Sequence, residues 1–300
     1  MGSQDRGAER ACRGQVSRHV IPVQPFPTPA DAPIGIFDSG VGGLSVLRHV
    51  RAQLPQEHLV YIADSGFAPY GDKTEAVVVE RSLAVAAFLV ARGVKALVVA
   101  CNTATVAAIK AIRAHHPALP VVGVEPGLKP GAAATRNGKV GVLATQRTLS
   151  GEKFLLLRDQ IAAATQAQFL LQPCVGLVDL IEQGQLDTDA TRAMLERYVA
   201  PLVAQGADTL VLGCTHYPFV QEAIARAVAQ AGGADVKLID TGDAVARQLA
   251  RLLESGGLQR PGSAGHPPLL HGYTTGAQEA LSSAFVRLLA MTADVESLKI

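Results

Sequence analysis

The sequence predicts an α/β protein made of two similar parallel-sheet units, and three observations carry that prediction. Apolar runs of strand length alternate with helical stretches from Pro33 onward, the pattern of parallel strands linked by crossover helices. One construction occurs twice. Residues 95–101 (Lys-Ala-Leu-Val-Val-Ala-Cys) and 208–214 (Asp-Thr-Leu-Val-Leu-Gly-Cys) each end a buried apolar strand on a cysteine and open a helix straight after it. The chain of 300 residues is 48% hydrophobic and 18% charged, with Ala, Val, Leu and Gly dominant, enough to build one large core or two ordinary ones.

Residues 1–32 stand apart. They carry Gly, Arg, Gln and Ser, then Pro22, Pro25, Pro27 and Pro29, with no hydrophobic period, and are read as a disordered amino-terminal extension. From Pro33, residues 34–37 form a buried strand that runs into Asp38-Ser39-Gly40-Val41-Gly42-Gly43 and a helix over 44–53. Residues 59–63 make a second strand ending on Asp64-Ser65, followed by a long helix over about 75–92. The Cys101 strand, a helix to about His115 and a strand over 121–124 complete the first unit. Between Gly127 and Gly138 the chain crosses into the second. There residues 139–144 restart the series, which continues through the Cys214 strand to Leu238-Ile239-Asp240. A helix over 244–254, a Gly/Pro-rich loop and a short strand plus helix close the sequence. In parallel sheets ligands sit beyond the carboxyl ends of the strands. Asp38, Asp64, Cys101, Thr145 and Cys214 each fall at such an end.

Composition excludes several classes. A net charge of +1 supplies no basic field, so neither nucleic acid nor an anionic membrane is expected as partner. No stretch approaches the ~18 uninterrupted apolar residues of a spanning helix. No secretory signal opens the sequence, and the four cysteines (Cys12, Cys101, Cys174, Cys214) include no Cys-x-x-Cys pair. This is neither a disulfide framework nor a zinc spacing, so a reducing cytoplasm is expected. His115-His116 and Asp187/Asp189 lie near helix ends, and nothing recommends a metal site.

A lone cysteine in an apolar segment is usually an inert core residue. Cys101 and Cys214 differ from that: each ends its strand, each precedes a predicted helix N-terminus, and each is followed by ligand-forming side chains, Asn102-Thr103 and Thr215-His216. A helix N-terminus lowers a thiol pKa from ~8.5 toward neutrality, which is the expectation for both. Cys12 and Cys174 lack these features. The turn after the first strand fails as a dinucleotide fingerprint, because Ser45 stands where the third glycine belongs. It reads instead as a glycine turn that lets backbone N–H groups approach an anion, with Asp38 aimed into the cleft; simple helix capping by Asp38 or Ser39 is equally compatible. Tyr70 could donate to a ligand carboxylate or cover the core. His216 could orient or protonate the Cys214 thiol. Glu182 reads as an ordinary charge near a helix end.

Two thiols serving one pocket suit inversion of a carbon stereocentre. A single base tends to return the proton it removed, whereas a thiolate on one face and a thiol on the other exchange roles between directions. Developing carbanionic charge would be met by fixed N–H donors at the helix N-termini, with no cofactor.

At these residues the sequence resembles the glutamate racemases. The resemblance rests on Gly35-Ile36-Phe37-Asp38-Ser39-Gly40-Val41-Gly42-Gly43-Leu44, Ala100-Cys101-Asn102-Thr103-Ala104 and Gly213-Cys214-Thr215-His216-Tyr217-Pro218. Asp64-Ser65, Pro69-Tyr70-Gly71, Val124-Glu125-Pro126, Ile239-Asp240-Thr241-Gly242 and Tyr273-Thr274-Thr275-Gly276 support it, over about residues 33–290. The resemblance implies cofactor-free interconversion of L- and D-glutamate for peptidoglycan and cell shape. It also implies two domains around one cleft (33–125 plus 241–300, and 126–240) and a homodimer. Cys101 would take the α-proton of D-glutamate and Cys214 that of L-glutamate. Asp38 would assist the first thiol, His216 and Glu182 the second. Substrate contacts would fall on Asp38, Ser39, Tyr70, Gly71, Asn102, Thr103, Thr215 and His216, with Thr145 and Thr148 as further candidates.

Three other readings stay open on sequence. An aspartate racemase or other two-cysteine isomerase is the nearest, although Thr-His after the second cysteine and the Asp-Ser glycine turn favour glutamate. A thiol oxidoreductase would need the two sulfurs at ~2 Å. A non-catalytic amino-acid-binding or partner-binding protein would need neither thiol.

Overall fold

Parallel strands buried on both faces need apolar side chains at nearly every position, and the strands of this chain supply them. The computed structural model describes residues 29–262 and 267–300. Most of the predicted extension, with Cys12, lies outside the described residues; its last part forms a 3-10 turn, Pro29–Asp31. In chain order the first half holds β1 (Ile34–Asp38), α1 (Leu44–Gln53), β2 (Leu59–Ala63), α2 (Glu75–Ala91), β3 (Ala96–Val99), α3 (Asn102–His115) and β4 (Val121–Gly123). A short helix, α4 (Leu128–Ala134), occupies the predicted crossover. The second half follows with β5 (Lys139–Ala144), α5 (Gln146–Ser150), α6 (Glu152–Thr165), β6 (Gln168–Pro173), α7 (Leu177–Glu182), α8 (Asp189–Ala204), β7 (Thr209–Leu212), α9 (Gln221–Gln230) and β8 (Lys237–Ile239). The chain then makes α10 (Gly242–Ser255), β9 (Leu270–Thr274), α11 (Gln278–Leu289) and β10 (Asp294–Ser297).

The strands form two wholly parallel sheets, ordered β10-β9-β2-β1-β3-β4 and β6-β5-β7-β8. The order β2-β1-β3-β4 repeats as β6-β5-β7-β8, so the doubled cysteine motif reflects a doubled topology. In each sheet the chain reverses its direction of growth between the first and third strands, the switch point where ligands of open α/β sheets bind. Cys101 follows β3 and Cys214 follows β7, one thiol at each switch point.

Side-chain alternation fills both faces. Ile34, Ile36, Leu59, Tyr61, Ala96 and Val98 pack against α1, α10 and α11 on one side of the first sheet, while Phe37, Val60, Ile62, Leu97 and Val99 pack against α2 and α3 on the other. Each such fully buried large side chain contributes roughly 1.5–3 kcal/mol. The second sheet is covered by α7, α8 and α9 on one face and by α4 and α6 on the other. Among the described residues no helix is long and apolar enough to cross a membrane.

Most predicted element ends move by one or two residues, and two elements were not foreseen, the helix α4 within the crossover and the strand β10. β10 reads Asp-Val-Glu-Ser, too polar and short to signal a strand, and it pairs with β9 at the sheet edge with Val295 as its one buried residue.

A polar cluster lies under the amino ends of the first sheet's strands. Lys95 Nζ meets Glu57 at 2.5 Å with both side chains buried, and Arg260 pairs with Asp31 at 3.5 Å. His58 beside them accepts the Leu269 N–H at Nδ1, 2.8 Å away, which requires the neutral ring. Burial, then the charges of Arg260 and Lys95, hold its pKa down to about 4. The unfolded chain therefore binds a proton at His58 below its ordinary value near 6.5 that the folded chain takes up only near 4. Stability from this group is complete above pH 6.5 and is lost as pH falls toward 4. The drop in thermal midpoint over that window is expected to be smaller in His58→Asn than in the parent, measured by parallel melts across pH 4–7.

Candidate active site

Each thiol heads a short relay that ends on a carboxylate. Cys101 is the N-cap residue of α3, and its Sγ donates to Ser39 Oγ at 3.8 Å. Ser39 Oγ in turn donates to Asp38 Oδ1 at 3.1 Å. On the other side Cys214 Sγ lies 3.6 Å from His216 Nδ1, and His216 Nε2 lies 2.6 Å from Glu182 Oε1. Cys101 and Cys214 are close enough for their charges to interact. Both are buried, at 5% and 7% exposure.

The glycine turn after β1 fits between the relays. The Val41 N–H donates to Glu182 Oε1 at 2.7 Å. A Cβ on Gly40 would overlap the Glu182 carboxylate, and one on Gly42 would overlap the His216 ring, so only glycine admits this approach. Thr215 Oγ1 donates to Asp38 Oδ2 at 2.7 Å, and Ser45 Oγ donates to the Thr215 carbonyl at 2.8 Å, both from one sheet's half to the other. Tyr61 OH donates to the Gly40 carbonyl at 2.7 Å and fixes the turn from below.

Protonation states follow from these contacts. Burial pushes Asp38 up, against the His216 charge and the donors Thr215 and Gly40 N–H. Burial alone would also push Glu182 up, but the hydrogen bond and charge of His216, the Val41 N–H and Arg287 outweigh it and hold Glu182 below its ordinary value. His216 moves the other way. Burial opposes its charge, yet the bonds to Cys214 and Glu182 raise it well above an ordinary histidine.

The expectation of an acidic Cys101 thiol is corrected. Burial first and the Asp38 charge second push it well up, and the Ala104 N–H at the helix N-terminus, acting in the expected direction, does not offset them. The expected helix at Cys214 also differs. A four-residue 3-10 turn, Tyr217–Val220, follows the thiol, and α9 starts only at Gln221. The macrodipole acting at Cys214 is accordingly small, and His216 is the local positive group. Cys174, read as a non-base, is buried, donates toward the Gln172 carbonyl at 3.6 Å, and is pushed up to about 12 by burial.

The Tyr70 hydroxyl donates to Asp64 Oδ2 at 2.6 Å, so toward a ligand it presents an acceptor. Asp64 is gripped by Arg81 through Nε at 3.1 Å and Nη2 at 2.9 Å, and accepts Thr275 Oγ1 at 2.8 Å. Removing one partner of a buried pair of this kind costs about 3–5 kcal/mol. Gly71 comes against Thr145 across the cleft, where a Cβ would sit 3.0 Å from the threonine. Thr103, Thr145 and Thr148 hydroxyls form a triangle at 3.0–3.2 Å. Asn102 is buried, and neither atom of its amide has a partner among the described residues. These contacts join Cys101, Ser39, Asp38 and Thr215, join Cys214, His216 and Glu182, and bring Gly71, Thr103, Thr145 and Thr148 together beside them. Ser39 as a relay member, Tyr61, Ser45, Asp64 and Arg81 were not foreseen in these roles; Tyr61 and Ser45 sit inside a strand and a helix with no local signal at all.

Fold and comparisons together place this chain in one enzyme class: it is an isomerase, a racemase. The chain belongs to the Asp/Glu/Hydantoin racemase family, whose model matches residues 40–249. A glutamate racemase of Pseudomonas paraeruginosa is 52% identical over 236 residues, 79% of this chain and 87% of that one. Another, from Pseudomonas putida, is 50% identical over 266 residues, 89% of this chain and 97% of that one. Among solved structures, Francisella tularensis glutamate racemase in complex with D-glutamate superposes with a TM-score of 0.78 at 29% identity, covering 90% and 98% of the two chains. Escherichia coli glutamate racemase in complex with L-glutamate and the activator UDP-MurNAc-Ala gives 0.76 at 34% identity, covering 89% and 98%.

The glycine turn yields a direct test. Gly40→Ala is expected to displace Glu182, and misplacement by about an ångström costs catalysis on the order of 10²-fold. Steady-state turnover beside a thermal melt checks this; a large loss of kcat/KM with a folded, cooperative protein is the expected result.

Proposed function

We propose that this protein interconverts L- and D-glutamate by a two-base mechanism on Cys101 and Cys214, without a pyridoxal cofactor. The observation that carries the reading is the pair of thiol-to-carboxylate relays, Cys101–Ser39–Asp38 and Cys214–His216–Glu182, meeting in one cleft. The glutamate racemases that are about half identical over most of the chain support glutamate as substrate.

The two relays rest in different states. Cys101 and Asp38 are both pushed toward their protonated forms, whereas His216 favours its charged form beside an ionised Glu182. In the direction that starts from L-glutamate, Cys101 serves as the acid and Cys214, 3.6 Å from His216 Nδ1, as the base. Cys214 thiolate removes the α-proton: the Cα–H bond breaks, an S–H bond forms, and the electron pair delocalises into the α-carboxylate. Cys101 then delivers its own proton to the opposite face. The reverse reaction exchanges the roles. Asn102, with its unpartnered amide, and the N–H groups opening α3 are placed to hold the α-carboxylate as charge builds there. The threonine triangle and Gly71 provide hydroxyl and backbone donors for the distal carboxylate, and Asp38 an acceptor for the α-ammonium. The cleft lies between the units 33–125 plus 241–300 and 126–240. D-Glutamate for peptidoglycan, a cytoplasmic site and a homodimer complete the proposal.

The decisive measurement is circular dichroism with each enantiomer of glutamate in D₂O, in the absence of pyridoxal phosphate. Loss of optical activity from both, with deuterium at Cα of the product, is the expected outcome. Aspartate turnover without glutamate turnover would move the substrate, and silence with both and reduced thiols would end the racemase reading. Cys101→Ala and Cys214→Ala are each expected to abolish racemisation; full turnover by either single variant excludes two bases.

A further inference from the structure

The helix that carries Glu182 is short, and something outside it fixes its end. α7 spans Leu177–Glu182 and stops at Gly184, which adopts φ +78. The Gly184 N–H bonds to the Ile181 carbonyl at 2.9 Å and the Gln185 N–H to the Leu180 carbonyl at 2.8 Å, closing the turn. Against this turn lies the guanidinium of Arg287. A Cβ on Gly184 would sit 2.9 Å from Arg287 Cζ and Nη1. Arg287 stands on α11, whose buried side chains Leu281, Ala284 and Phe285 anchor it under the first sheet, whereas α7 belongs to the second. Arg287 also lines a groove of about 570 Å³ with Arg48, Leu186, Phe219 and Leu288, on the outer side of the loop that follows His216.

We propose that Arg287 is a positioning residue for the Cys214 arm: from one half of the molecule its guanidinium packs against the turn that ends α7 in the other, and so fixes where the Glu182 carboxylate stands against His216. Glu182 faces several charges. Asp38 and Asp179 are the carboxylates that interact with it, and Tyr61 the phenol. The cations that pull Glu182 down are His216, to which it is bonded, and Arg287. His216 is part of the relay and changes its own charge with it, so Arg287 is the fixed one. The inference rests on the two-base reading for its kinetic consequence, though not for its geometry.

The test uses Arg287→Met, which keeps the aliphatic stem, and Arg287→Lys, which keeps the charge. L- and D-glutamate are equal in energy, so kcat/KM must be equal in the two directions and cannot by itself reveal one arm. Its acid limb reports instead the ionisation of a group that both directions need, and is read beside the Glu182 titration itself. Without Arg287 the Glu182 carboxylate takes a proton at higher pH, so the acid limb of kcat/KM moves upward in Arg287→Met. At neutral pH kcat/KM falls about two- to fivefold, the range of a solvent-exposed charge pair. Arg287→Lys recovers most of both. The substrate deuterium isotope effect is expected to grow with α-deuterated L-glutamate more than with the D-enantiomer, because only the Cys214 arm is weakened. The carboxyl ¹³C titration of Glu182, assigned with Glu182→Gln, reads the same contact without turnover and moves upward in Arg287→Met. An unmoved Glu182 titration in Arg287→Met overturns the proposal, and so does an Arg287→Lys variant that behaves like Arg287→Met. A parent enzyme inactive on glutamate with a shifted Glu182 titration in Arg287→Met would end the two-base reading and leave the contact with the α7 turn standing.

Discussion

Close approach between a glycine turn and a carboxylate–imidazole pair organises the whole molecule. Gly40 and Gly42 let the loop after β1 touch Glu182 and His216 with nothing in between, and the Val41 N–H supplies the bond that this approach makes possible. Around that contact the other cross-cleft bonds fall into register, Thr215 to Asp38 and Ser45 to the Thr215 carbonyl. A Cβ at Gly40 or Gly42 would push aside the Glu182 carboxylate or the His216 ring that the turn now touches. The doubled topology makes the meeting symmetrical, since each sheet brings its switch point to the same place.

Burial then gives the two carboxylates opposite tendencies. Asp38 is enclosed with few charges to offset its desolvation and drifts toward the neutral acid, while Glu182 has an imidazolium at hydrogen-bond distance and stays ionised. Neighbouring acids driven apart in this way take different parts in proton transfer. Cys101 is enclosed beside Asp38, and the same desolvation holds its thiol protonated.

Much of this was legible in the sequence, for identifiable reasons. β1, β3 and β7 are continuous apolar runs, and their ends were marked by Asp38, Cys101 and Cys214, polar or reactive residues in places a core strand does not use. Asp38, Ser39, Asn102, Thr103, Thr215 and His216 could be singled out because they lie within a few residues of those ends, whereas Tyr70 and Gly71 sit in the loop after β2. What was hidden depends on tertiary approach. Val41 and Glu182 are 141 positions apart, and Ser45 and Thr215 are 170 apart, so no local pattern pairs them. The Cys101 thiol was misjudged because a helix N-terminus is visible in sequence and enclosure beside a carboxylate is not. The 3-10 turn after Cys214 was hidden by Pro218, which fits the start of either helix type. β10 was missed because an edge strand with one buried side chain carries almost no periodic signal.

The first sheet is assembled from both ends of the chain, whereas the second comes from one continuous stretch between β5 and β8. As the chain leaves the ribosome, all strands of the second sheet are present while the outer edge of β2 still lacks its neighbour. That edge is Leu59–Ala63, wholly buried and apolar in the finished protein, and it waits for Leu270–Thr274, some two hundred residues later. Unpaired apolar strand edges attract other chains during such intervals. The architecture that gives one protein two matched thiol arms therefore also sets an order of birth: the inserted half completes first, and the half that encloses it stays open to misassembly until the last strands arrive.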